Sequence, residues 1–411
     1  MPAKRRKNGE GSWGTKKIKG VEYKYFRKQY NEVDKYFYGK TEKEIKEKIK
    51  IFENDNSISV DKDIKKQIFG DYISSWLKTV KQPAIKRRTF DSYEDIINVQ
   101  IVNSKSYDIS GKQMGNLNDE IFQLYYNDMA KKYSRATIRK NYAIVKQCLE
   151  YAFVKKHITE NFLEHVTIPS EDLVKVKKKE VNFLTESDMN KLYEECKRTN
   201  TKGFNIRGKL NESVYGINAY AVVFIMYTGL RIGELIALKW KDIDLSEKYI
   251  YINKSESTIK NRNRKNDEDV KYTKEITSAK TKSGNRSIPL SDRAIEILNL
   301  ISNQNINHKP DDIVFMNQNE NTINRANVTR TLQAMLTRAN CEVKQCGLHA
   351  LRHTFGSYLI LHKIDVKIVS QLMGHKDVTV TYNIYVHIIE QQKIDAVNIF
   401  DKIKQDENKD K

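Results

Sequence analysis

Between residues 65 and 168, apolar side chains recur at helical spacing, with few glycines and a single proline, Pro83, to interrupt them. Ile68, Phe69, Tyr72, Ile73, Trp76 and Leu77 form an i, i+3, i+4 stripe, the pattern of a helix with one face turned to a core. A stretch this long and uniform predicts an all-α domain. Pro83 separates its first helix from the next, which begins near Lys86-Arg87-Arg88-Thr89. Asn118 precedes a helix over 121–132, and Ser134-Arg135-Ala136-Thr137 caps one that runs to Phe153. Both basic clusters set cations and hydroxyls at helix N-termini, where unpaired N–H groups and the helix dipole favour phosphate. Capping alone accounts for the Ser and Thr. With the neighbouring arginines included, Arg87, Thr89, Arg135, Thr137 and Arg139 become candidate contacts to the phosphates of a polyanion.

The 411 residues suit two to three domains. Residues 1–12 read as a basic flexible tail. Residues 13–56 read as a small sheet backed by a helix: VEYKYFRKQY alternates aromatic and cationic residues, and Thr41 with Glu44 makes a capping box. Such a sheet presents Lys24 and Arg27 and fits the major groove, although a small adaptor sheet would look the same. After the helical 65–168 region comes a linker, 169–180, and a mixed α/β region fills 181–411. The expected fold class is multidomain and mainly α, with an N-terminal sheet-plus-helix, an all-α domain and a mixed α+β domain.

The formal net charge is +20, from 73 Lys+Arg against 53 Asp+Glu, which points to a polyanionic partner, nucleic acid first. A merely lysine-rich surface is the alternative. No run approaches the ~18–20 apolar residues of a membrane span. No secretory signal is expected at the N-terminus. Four cysteines are too few for a disulfide scaffold and suit a reducing interior.

Four segments of the last region carry residues suited to phosphoryl transfer. In YTGLRIGELIALKW, Gly229 closes one helix and Arg231 begins the next, with Glu234 on the same face to brace its guanidinium. In EITSAKTKSGNRSIPL, alternation on both sides of Ser283-Gly284-Asn285 predicts a hairpin with Lys280 and Lys282 near its tip and Arg286 on the return strand. A long charged insertion, about 256–272, precedes it. In GLHALRHTFGSYL, His349 and Arg352 share a helical face, and His353 falls one step round as a packing or supporting residue. In VSQLMGHKDVTVTYNIYVH, Gly374 ends a helix, His375 follows in the loop, and Tyr382, Tyr385 and His387 lie just beyond.

In their order and spacing, the TGLRIGEL, HALRHT, LMGH and TYNIY blocks resemble the tyrosine recombinases, the phage-integrase family. The resemblance is strongest over 180–400 and extends more weakly to 65–168, which is similar to the family's core-binding domain. Residues 13–56 are similar to the arm-binding domain of conjugative-transposon and phage integrases. The resemblance implies Tyr385 as nucleophile, with Tyr382 as rival. It implies Arg231 and Arg352 as phosphate clamps, and His349 and His375 at the family's histidine positions. Lys280 takes the hairpin lysine position, with Lys282 as substitute. It also implies double-stranded DNA attachment sites, core and arm, as substrate and a homo-tetramer working through a Holliday junction. An excisionase or host DNA-bending protein would be a further partner, and the setting would be cytoplasmic, in association with the bacterial nucleoid. No cofactor, metal or membrane is implied.

The chemistry agrees with general physical expectation. A phenol with a pKa near ~10 must lose its proton to attack. Guanidiniums on the non-bridging oxygens stabilise the pentavalent phosphorus. A 3′-phosphotyrosine would retain the bond energy for a second 5′-hydroxyl. Alternatives are a zinc-stabilised regulator using Cys341, Cys346, His349 and His353, a non-catalytic accessory factor with this fold, and a chromosome-resolving recombinase. The apolar spacing of Ile394, Val397, Phe400 and Ile403 predicts a C-terminal helix that docks on a neighbouring subunit or on its own domain.

Overall fold

The computed structural model describes residues 11–18, 21–30, 33–56, 62–104, 107–177, 183–199, 214–264, 266, 269–278, 284–304, 307–317 and 321–397. The chain divides into two compact units near residue 178.

The first unit opens with an antiparallel sheet of β1 (Ser12–Ile18), β2 (Val21–Tyr30) and β3 (Val33–Gly39). Its register sets Trp13, Phe26 and Phe37 side by side on one face. Helix α1 (Glu42–Asn56) covers that face through Phe52, which meets Phe37, and the fully buried Ile45. Thr41 caps α1 by accepting the Glu44 N–H, and the Glu44 carboxylate reaches back to the Lys40 N–H. The aromatic alternation predicts two of these strands; β1 is a third, starting inside what reads in sequence as the tail.

Next come α2 (Lys62–Lys66) and α3 (Phe69–Trp76), the latter running on through a π-helical turn at Leu77–Lys81. The chain breaks at Pro83 and resumes as α4 (Arg87–Ile96), which also continues through π-helical geometry at Ile97–Val102. Helices α5 (Asp119–Ala130) and α6 (Arg135–Val154) are capped by the Asn118 and Ser134 side chains, as the sequence predicts. Phe69, Ile73, Phe122, Tyr125, Ile138, Val145 and Leu149 share one core. Within it the buried Asn141 amide donates to Gln100 and to the Tyr125 hydroxyl.

The second unit is organised on α8 (Ile217–Thr228), whose residues Ala219–Met226 are all buried. A helix apolar all round must be covered on every side. Helices α7 (Glu186–Lys197), α10 (Asp292–Gln304), α11 (Arg325–Arg338) and α12 (Leu348–Leu361) cover it. Between α8 and α10 run the short α9 (Ile232–Ile236) and five strands: β4 (Ile243–Asp244), β5 (Tyr249–Ile252), β6 (Lys254–Lys260), β7 (Tyr272–Ser278) and β8 (Arg286–Pro289). After α12 come α13 (Val366–Met373) and α14 (Val378–Val397).

The strands correct the expected hairpin. Strands β7 and β8 do not pair across Ser283-Gly284-Asn285. Strand β7 pairs with β6 in a two-stranded ribbon, and β8 joins β4 and β5 in a separate sheet. The two ends of the charged insertion are therefore strand: Glu256–Lys260 and Tyr272 form ladder pairs. The ladder won because the ribbon satisfies backbone groups of both strands, from Lys254↔Ser278 to Lys260↔Tyr272. Among the described residues, no helix is long and apolar enough to cross a membrane.

Candidate active site

The α8–α9 corner places the first arginine. Gly229 ends α8 in the left-handed region (φ 66°), and a Cβ there would lie 2.5 Å from the Phe355 ring, so both backbone and space demand glycine. Arg231 is the N-cap of α9. Glu234 accepts its backbone N–H at 2.9 Å and its guanidinium at 2.8 Å, as the spacing predicts. The other end of the Arg231 guanidinium donates to Gly374 O at 3.1 Å. Gly233 lets the ribbon lie against α9, because a Cβ there would stand 2.5 Å from Glu256 O.

The second arginine is on α12, and the loop that leads into it is held by the buried Asp188. That carboxylate accepts the Glu342 and Val343 N–H groups at 2.7 and 3.1 Å. Arg352 is 1% exposed, donates to Gly229 O at 2.6 Å and to Met373 O, and has no partner for Nε. The two arginines, distant in sequence, thus meet at the C-terminal end of α13.

Gly374 ends α13 in the left-handed region (φ 63°) and turns the chain into His375, whose Nδ1 lies 2.7 Å from the buried Thr381 hydroxyl. Tyr385 stands at a kink in α14 (φ −111°, ψ 15°) and is 1% exposed. Its hydroxyl lies 3.4 Å from His353 Nδ1 and 3.6 Å from Met373 Sδ, in a slot that glycine at 356 leaves open. Met373 therefore touches both Arg352, through its carbonyl, and Tyr385, through its sulfur. Tyr382, by contrast, is 37% exposed.

Three guanidiniums (Arg231, Arg286, Arg352) gather around one carboxylate, Glu234. Burial opposes the Glu234 charge, but Arg286 and Arg231 overcome it and hold its pKa near 2. Burial pushes the Tyr385 phenol well above its ordinary range, and Arg352 pulls the other way. Burial, then Arg352 and Arg231, lowers His349. Burial lowers His375 to about 4, helped by Arg352 and Arg231. His353 is lowered to about 4 by burial, His349 and Arg352. An excess of fixed cations over one carboxylate, with neutral imidazoles beside it, suits a doubly substituted phosphate.

These histidines set a pH dependence. Unfolded, each binds its proton near ~6.5; folded, His353 and His375 do so near 4. Between those values the unfolded chain holds more protons, so stability rises with pH and is lost as pH falls from 6.5 towards 4. Replacing His353 by Gln is expected to flatten that slope, measured as melting temperature against pH. Parallel slopes in the two proteins would overturn the assignment.

Of the expected site residues, Arg231, Glu234, His349, Arg352, His375 and Tyr385 come together. Lys280 and Lys282 lie outside the described residues, and His387 is described for its backbone only. Sequence reasoning missed Arg286 as a site residue, and it gave no role to Met373 or to Thr381, both of which lie within the quoted blocks. His353, expected to pack, does so against the Tyr385 hydroxyl. Cys341 is buried and Cys346 partly so; burial and Asp188 push both thiols up to about 11. Among the described residues, no three His, Cys, Asp or Glu side chains converge as metal donors.

The expected DNA contacts are partly engaged within the chain. Lys24 pairs with Glu42 at 3.2 Å, and Arg27 pairs with Asp34 and lies over the Tyr36 ring. Arg135 donates to Pro169 O at 3.1 Å, and the Thr137 hydroxyl meets that of Ser134. Arg87 and Thr89 occupy the first turn of α4, and Arg139 is exposed on α6.

The second unit's helices, sheet and clustered arginines define the class of the tyrosine recombinases. The solved Tn1549 transposon integrase in complex with transposon right end DNA superposes with a TM-score of 0.61. It is 19% identical, covering 78% of this chain and 95% of that one. The lambda integrase dimer bound to a COC′ core site gives 0.55 at 15% identity, covering 93% and 96%. The chain belongs to the phage integrase family, whose sequence profile matches residues 182–392. Among its relatives, a XerC-like tyrosine recombinase of Caldanaerobacter subterraneus subsp. tengcongensis is 29% identical, over 89% of this chain and 90% of the relative. The integrase of Staphylococcus phage L54a is 25% identical, over 84% and 95%.

Proposed function

We propose that this enzyme cleaves and rejoins DNA strands at the site just described, with Tyr385 as the nucleophile. Arg231 and Arg352 leave their carbonyl acceptors and hold the non-bridging oxygens of the scissile phosphate. His349 assists removal of the phenolic proton, and His375, set in place by Thr381, donates to a phosphate oxygen. The phenolate oxygen bonds to phosphorus as the bond to the 5′-oxygen breaks, and Lys280 or Lys282 gives that oxygen its proton. A 5′-hydroxyl of a second strand reverses the step and exchanges the strands. The buried phenol must first turn out of its slot, and the kink at Tyr385 divides α14 at that point. The observation that carries this reading is that Arg352 and Tyr385 share Met373 as a contact, while Arg231 reaches the very next residue.

The assembly we assign is a homo-tetramer on paired attachment sites, passing through a Holliday junction. A lambda integrase tetramer has been solved bound to a Holliday junction, with a TM-score of 0.54 to this chain, 16% identity and coverage of 88% and 92%. Core sites would be gripped by the helical region through Arg87, Thr89, Arg135, Thr137 and Arg139, and arm sites by the β1–β3 sheet through Lys24 and Arg27. An excisionase or DNA-bending protein would set direction. The N-terminal sheet favours integration and excision of a mobile element over chromosome resolution.

The test is covalent trapping. Duplexes enriched by the full chain from a random-sequence pool, and nicked at successive positions across the bound region, should leave protein attached through a 3′-phosphate at one position. Peptide mapping should place the adduct on Tyr385. An adduct on Tyr382, or none at any nick position, would overturn the assignment.

A further inference from the structure

Three arginines from three separate elements converge on three consecutive carbonyls. Arg286 of β8 donates to Leu372 O at 2.7 Å, Arg352 of α12 to Met373 O, and Arg231 at the start of α9 to Gly374 O at 3.1 Å. These carbonyls close α13, where no intrahelical N–H remains to pair with them and the helix dipole is negative. The chain then turns through Gly374 into His375. The guanidiniums therefore fix the corner from which that imidazole projects.

The three differ in what they have left to offer. The Arg231 side chain is 38% exposed, and Arg352 keeps an unpartnered Nε. The Arg286 side chain is 6% exposed and all three of its nitrogens are engaged: Nε with Leu372 O, and the other two with Glu234 at 3.2 and 2.8 Å. It has nothing free for a phosphate. Glu234, itself 7% exposed, is the same carboxylate that holds the Arg231 backbone and guanidinium.

We infer that Arg286 is a positioning residue for strand cleavage, clamping Glu234 and the end of α13 so that Arg231 and His375 face the scissile phosphate. This rests on the roles proposed above for Arg231, His375 and Tyr385. The physical argument is competition for one buried carboxylate. With Arg286 in place, each Glu234 oxygen already has a cationic partner, and the second end of the Arg231 guanidinium rests on Gly374 O, an acceptor it can exchange for phosphate. Without Arg286, a buried carboxylate is left with Arg231 as its remaining fork-shaped partner. A buried charge that loses a partner is strongly destabilised unless another replaces it. Arg231 would be drawn inward into a two-bond pair, away from phosphate, and Leu372 O would lose its donor. The loss would fall on the chemical step, since Arg286 itself makes no contact with DNA in this scheme.

The test uses the full chain, the nicked duplex that traps covalent protein, and two substitutions, Arg286→Met and Arg286→Lys. Lysine keeps the charge but cannot form the planar two-bond fork. At saturating protein, Arg286→Met is expected to lower the single-turnover cleavage rate by about 100-fold and Arg286→Lys by about 10-fold, the scale of a misplaced clamp. Duplex affinity should stay within about threefold for both. Cleavage within threefold of the parent in either variant would overturn the proposal. So would a Lys variant as impaired as the Met variant with affinity falling in parallel, which is the mark of a merely structural residue. If Arg286→Met does not fold, Arg286→Lys decides alone by the same limits. Tyr385→Phe is run alongside: an adduct there would sink the nucleophile assignment, whereas an inactive Tyr385→Phe beside a fully active Arg286→Met would sink only the role of Arg286.

Discussion

Replacing Tyr385 by phenylalanine is expected to abolish covalent attachment to DNA, a fall of at least about 10⁴-fold in strand cleavage, because no other group in the slot supplies the attacking oxygen. The same change should be almost silent in stability. The hydroxyl makes only long contacts, 3.4 Å to His353 and 3.6 Å to the Met373 sulfur, and removing a weakly bonded hydroxyl costs under about 1 kcal/mol. The ring, which fills the slot beside Gly356, stays. Gel-shift affinity should hold within about twofold and the melting temperature within a degree or two. This contrast identifies the role: an oxygen that matters little to the fold and completely to the chemistry. Tyr382→Phe, altering an exposed phenol, should leave adduct formation unchanged. Undiminished adduct in Tyr385→Phe would end the assignment.

Arg352→Met is expected to slow cleavage by about 10³-fold, the scale of a lost transition-state donor, about 2.7–4 kcal/mol. Here stability should suffer too, in a readable way. Gly229 O and Met373 O lose their donor, at about 1–3 kcal/mol for buried acceptors left unpaired. Against that, a buried cation repelled by Arg231 is removed, and methionine fills much of its volume. The net expected cost is about 1–2 kcal/mol, too little to explain the catalytic loss through unfolding. Single-turnover cleavage and chemical denaturation on the same preparation separate the two. A cleavage defect no larger than the stability change accounts for would remove Arg352 from the phosphate clamp.

The sequence is most informative where structure is set by near neighbours. Asn118 and Ser134 cap the helices they precede, and Glu234 reaches Arg231 three residues back, because these bonds close within one turn. The order of TGLRIGEL, HALRHT, LMGH and TYNIY carries the site, because each block supplies one side chain to one corner. What the sequence hides are pairings between distant segments. Strand β7 pairs with β6 across a polar connection, a choice made by the whole ladder that no local turn residue announces. Arg286 reads as one more cation beside a turn, yet its partner is Glu234. A signal for it does exist: Arg286 shares strand parity with the buried Ile288, and a charge at an inward position requires a buried counter-charge. His353 is similar. Its place beside Tyr385 depends on how α14 lies across α12, which spacing along either helix does not encode.

The two ladders of the second unit have independent registers: β6 with β7, and β8 with β5. Residues gained or lost at the polar bend between β6 and β7 would lengthen or trim the ribbon's outer end while Arg286 stays opposite Ile252. The enzyme thus has a place where evolution can alter the ribbon's length without retuning the cationic corner. Relatives that differ in length between these two strands should keep the same pairing of the Arg286 strand with β5.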